Sequence, residues 1–101
     1  MQKTVLFEVF ELLKTLEIVT SESQFSVEWL GRSDCYLRTC RFKRMDPSIS
    51  SIAVCASKLQ HYGNLLSQKP QHKRLGETLL LCSERCHEQI NHQAEASWVG
   101  V

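Results

Sequence analysis

Five cationic side chains, Arg32, Arg38, Arg41, Lys43 and Arg44, crowd one short stretch of the chain. A guanidinium is a planar fork that can hold a phosphate or take both major-groove acceptors of guanine. A cationic density of this kind points to an anionic partner. Cys82 and Cys86 suggest a second chemistry. Residues four apart share a helix face, so with His87 and His92 close by two thiolates could approach a metal. The same cysteines fall in the series Leu75, Leu79, Cys82, Cys86 and Ile90, an apolar stripe in which free cysteine acts as a small hydrophobe. The paired spacing of a metal motif is missing, so no metal or other cofactor is expected. His61, His72, His87 and His92 lie in polar contexts, without a nucleophile elbow or a Gly-rich phosphate loop. No catalytic residue is expected.

The 101 residues leave room for one domain, and their 43% apolar and 23% charged content is ordinary for a globular chain. No run approaches the ~20 apolar residues of a membrane helix. Val5-Leu6-Phe7 is broken at once by Glu8, with no small-residue cleavage site behind it, which predicts a cytoplasmic chain without signal peptide or membrane contact. Five cysteines, an odd number without paired spacing, predict reduced thiols. Four Gly and two Pro are too few for the turns of an all-β fold. The net charge of +1 conceals an asymmetry. Residues 1–30 hold two Lys against five Glu, residues 31–76 hold nine cations against Asp34 and Asp46, and residues 77–101 hold Arg85 against four Glu. A basic centre between acidic ends implies one surface that seeks an anion.

Helical elements must position these groups. Apolar residues at 5, 6, 9, 12, 13 and 16 predict a first helix over 4–19. A polar break at 20–23 precedes a short helix over 24–30, closed by Gly31 in a left-handed conformation. Ser33 reads as the cap of a third helix ending near Phe42, with Asp34 in its first turn. Pro47 stops that helix, and a fourth spans 49–66 with Ile52, Cys55, Ala56, Leu59 and Tyr62 on one stripe. The reading is an all-α bundle of about five helices. Residues 1–66 form its core domain, 67–74 a basic linker, and 75–101 a C-terminal element with a helix to about residue 93.

Two short helices around a glycine turn, the second rich in arginine, are the ingredients of a helix-turn-helix. Over residues 25–59 the chain resembles the Cro/C1-type, λ-repressor-like family. Leu30-Gly31 matches its turn, Ser33 its cap, Leu37 and Cys40 its inward positions, and Pro47-Ser48 its loop. Ile52, Cys55-Ala56 and Leu59 match the following helix without a gap. Departures occur at Ser26, where the family has an apolar residue, at Val27 for a small Ala, and at Arg32, Arg41 and Lys43.

The resemblance implies a small DNA-binding transcriptional regulator. Its groove-facing positions would be Ser33, Asp34, Cys35, Arg38, Thr39 and Phe42, with Arg38 best suited to a base. Arg32, Arg41, Lys43 and Arg44 would hold phosphates. Asp34 could accept from a cytosine amino group or serve only the helix dipole. Such proteins bind double-stranded DNA as dimers, and the stripe Leu79, Cys82, Cys86 and Ile90 is the expected homodimer interface. That helix could equally cap its own core. The rival class is a protein-interaction module, such as an anti-activator, that reuses the same helices for a protein partner. No metabolite pocket is legible in the sequence.

Overall fold

The computed structural model describes residues 4–99. In it, α1 spans Val5–Thr15, α2 Glu22–Leu30, α3 Tyr36–Lys43, α4 Ile49–Ser67 and α5 Lys73–Trp98, with a single 3-10 turn, Pro70–His72, between the last two. No strand occurs among the described residues, so the chain is an all-α bundle.

The first helix buries Val5, Leu6, Val9 and Leu13. It stops short of the expected residue 19 because Glu17 takes a left-handed φ of 61°. The chain folds back there, with the Ile18 and Val19 amides donating to the Leu13 carbonyl at 2.9 and 3.3 Å, and Val19 re-enters the core from outside the helix. The second helix starts earlier than expected. Ser21 Oγ accepts from the Gln24 amide at 3.1 Å, and Gln24 Oε1 accepts from the Thr20 amide at 2.7 Å. This reciprocal pairing satisfies donors at the helix start. Gly31 closes α2 as expected, at φ 66°, while the Arg32 amide donates to the Ser26 carbonyl at 3.0 Å.

The expected cap of α3 is corrected. Ser33 Oγ does not cap the helix, whose N-cap residue is Cys35, and Asp34 precedes that cap instead of lying in the first turn. The buried Ser26 Oγ on α2 accepts from the Leu37 amide at 3.2 Å. Ser26 thus supplies from across the turn the acceptor that α3 lacks locally. Pro47 and Ser48 start α4 as expected, with Ser48 Oγ accepting from the Ser51 amide at 3.2 Å.

The bundle's largest packing unit is the antiparallel pair α4–α5. Ser83 Oγ donates to the Ala56 carbonyl at 2.9 Å, and Gly63 lies against Gly76. A Cβ on Gly76 would stand 2.5 Å from the Ser67 amide nitrogen and 2.7 Å from the Gly63 carbonyl oxygen. The two backbones touch there, which only residues without a side chain permit. The start of α5 at Lys73 takes up part of the stretch read as a linker, and the helix runs past residue 93 to Trp98. Gln93 holds that end by donating from Nε2 to the Pro47 carbonyl at 2.8 Å. Leu79 and Cys86 are 1% and 0% exposed within one hydrophobic core shared with α1, α2, α3 and α4. The stripe expected to meet a second copy is therefore covered, at these two positions, by the chain itself; Cys82 and Ile90 are half-buried against the same core.

Candidate nucleic-acid interface

Leu37 and Cys40 are buried, so α3 turns its opposite side outward, and at roughly 100° per residue that side carries Arg38, Thr39 and Phe42. Phe42 is 86% exposed, the most exposed large apolar side chain among the described residues. Arg38, Lys43 and Arg44 are exposed around it and take part in neither of the ion pairs found among the described residues. Arg44 ends the helix at a left-handed φ of 54°. Thr39 is half-buried.

The remaining cations of the cluster have partners within the chain. Arg32 donates to Ser48 Oγ at 2.9 Å and to Ser50 Oγ at 2.6 Å, and its guanidinium lies 5.5 Å from the centre of the Tyr36 ring. Tyr36 Oη in turn accepts from the Ser48 amide at 2.8 Å. Together they fasten the start of α3 to the start of α4. Arg41 forms a bidentate pair with Glu22 of α2 and covers the Phe7 ring of α1 at 5.5 Å. A guanidinium neutralised in this way is poorly placed to hold a phosphate. The five cations expected to face one anion are thus divided: Arg32 and Arg41 are held by neighbouring side chains at the surface, and Arg38, Lys43 and Arg44 lie outside the ion pairs found among the described residues.

Ahead of the helix, Ser33 and Asp34 are exposed and Cys35 is half-buried. Ser33 Oγ lies 3.7 Å from Cys35 Sγ, and this hydrogen bond, with a second from Thr39, lowers the Cys35 thiol below its ordinary pKa. The other thiols behave as core. Cys55 and Cys86 are buried, and the Cys86 thiol together with burial pushes Cys55 well above the usual thiol range. Burial raises Cys82 as well. No group of three His, Cys, Asp or Glu able to hold a metal occurs among the described residues.

The basic centre does not form one surface. Lys69, Lys73 and Arg74 surround the turn beyond the C-terminus of α4, whereas α3 is tied to its N-terminus. The 19 residues of α4 separate these ends by about 28 Å at ~1.5 Å per residue. Sequence reasoning missed Ser26, Glu22 and Tyr36. The signal for Ser26 was present: a polar residue stands where the family that the chain resembles has an apolar one.

An all-helical bundle that presents one short cationic helix with a bare aromatic is the class this architecture defines. Residues 6–99 match the family of unknown function DUF6626, and the chain belongs to that family. No characterised protein and no solved structure matches the chain.

Proposed function

We propose that the protein binds double-stranded DNA through the outward face of α3, as a small transcriptional regulator. The observation that carries this reading is the division of labour among the cations. Arg32 and Arg41 brace α3 against its neighbours, while Arg38, Lys43 and Arg44 are exposed and outside both ion pairs found among the described residues. The spacing of Leu30, Gly31, Leu37 and Cys40 that resembles the Cro/C1-type helix-turn-helix supports the same reading, since Gly31 is left-handed and Leu37 and Cys40 face inward. In this account Arg38 reads a base edge, Phe42 packs on a thymine methyl, and Lys43 and Arg44 hold phosphates. Thr39 is a further polar contact, and Asp34 stands at the helix start where the dipole favours an acid.

The test is fluorescence-anisotropy binding to duplex DNA across a salt series. The plot of log K against log salt should be steep, and Arg44→Ala should reduce its slope by roughly one unit. Arg41→Ala should leave the slope unchanged, because its guanidinium already pairs with Glu22. Absence of binding at low salt would overturn the proposal. It would favour a second reading, in which the bare Phe42, 86% exposed, anchors a protein partner.

A further inference from the structure

A groove of about 490 Å³ opens on a face bounded by α2, α4 and the first turns of α5. Its volume lies in the range of small-molecule sites. Trp29 and Tyr62 form one wall, their ring centres 5.8 Å apart and tilted by 47°. Leu65 lines the opening and Leu79 reaches the groove from the core. Tyr62 and Leu65 are 42% and 47% exposed, large apolar surface gathered around one concavity instead of scattered. The rim is cationic. Lys58 Nζ lies 4.9 Å from the centre of the Trp29 ring and donates to the Glu28 carbonyl, leaving two further donors on the ammonium. Lys69 adds a second ammonium, outside both ion pairs found among the described residues. Glu28 is the one acidic side chain among the described lining residues, so the lining carries net positive charge.

We propose that this groove binds a small aromatic carboxylate, its ring against the exposed face of Tyr62 and its carboxylate drawn to the cationic rim. The exposed Tyr62 and Leu65 surface favours a ring, and the net positive charge of the lining favours an anion over a neutral isostere. The site is separate from the outward face of α3 and does not depend on DNA binding. Calorimetric titration of the full chain with indole-3-propionate, beside its neutral primary amide, tests the proposal. The acid should bind with a dissociation constant of millimolar or below, and the amide at least tenfold more weakly. Lys69→Gln should weaken the acid about three- to fivefold, as expected for a solvent-exposed ion pair, and leave the amide unchanged. Leu65→Glu should abolish binding of the acid while the fold persists, since Leu65 is half-exposed. No heat at millimolar acid, or equal affinity for acid and amide, would overturn the assignment. So would light scattering that shows a dimer converted to monomer by Leu65→Glu, which gives the groove to a second copy of the chain.

Discussion

Ser26 couples the helices on either side of Gly31, because its buried hydroxyl on α2 accepts the Leu37 amide of α3. Removing the hydroxyl leaves a buried N–H without a partner, which costs about 1–2 kcal/mol. Ser26→Ala should therefore lower the urea midpoint without changing the m-value, and an unchanged midpoint would refute the coupling. A second residue-scale expectation concerns Cys35. Its pKa is lowered by Ser33 and then Thr39, so more thiolate is present near neutral pH than on an unperturbed thiol. Alkylation in the native state should begin at Cys35 and spare the buried Cys40, Cys55 and Cys86. The pH–rate profile of Cys35 should move upward in Ser33→Ala. Both residues show why local reading goes astray. Ser33 has the right type and position for a cap, but the geometry of residues 31–35 turns its hydroxyl toward a neighbouring thiol.

At the scale of elements, the α4–α5 pair depends on absent side chains. Gly76→Ala gains about 1 kcal/mol of helix propensity. Against this, the new Cβ meets backbone atoms of Ser67 and Gly63 at 2.5 and 2.7 Å, and backbone cannot rotate away. The helices must part, with a net loss of about 1–3 kcal/mol expected from overpacking. For a domain of this size each kcal/mol lowers Tm by roughly 4–8 °C. A variant as stable as the wild type would show that the backbones are not in contact. The helices themselves were legible from apolar spacing, and Gly31 and the break at Pro47 placed the end of α2 and the start of α4 correctly, because a left-handed turn and a proline stop are local events. Other limits were set by tertiary structure. A left-handed Glu17 ends α1 early, and Gln93 reaching Pro47 anchors the extended end of α5. Tyr62 shares the spacing of the α4 core stripe but borders an open groove, which α2 and the first turns of α5 bound without closing over it.

For the whole molecule, eight of the nine cations of the basic centre fall into two patches at opposite ends of α4, with Lys58 between them. Sequence can count cations, but only the fold shows which are paired and which end they occupy. The two patches make different predictions. Lys43→Gln with Arg44→Gln should reduce the salt slope of DNA binding by roughly two units, whereas Lys73→Gln with Arg74→Gln should leave it unchanged. The most direct test of the central claim is a ¹H–¹⁵N NMR titration of the protein with a short duplex at low salt. The account predicts that the largest amide shifts fall on Arg38, Thr39, Phe42, Lys43 and Arg44, with the Lys69–Arg74 region unmoved. Shifts confined to that distant region, or none at saturating duplex, would contradict it.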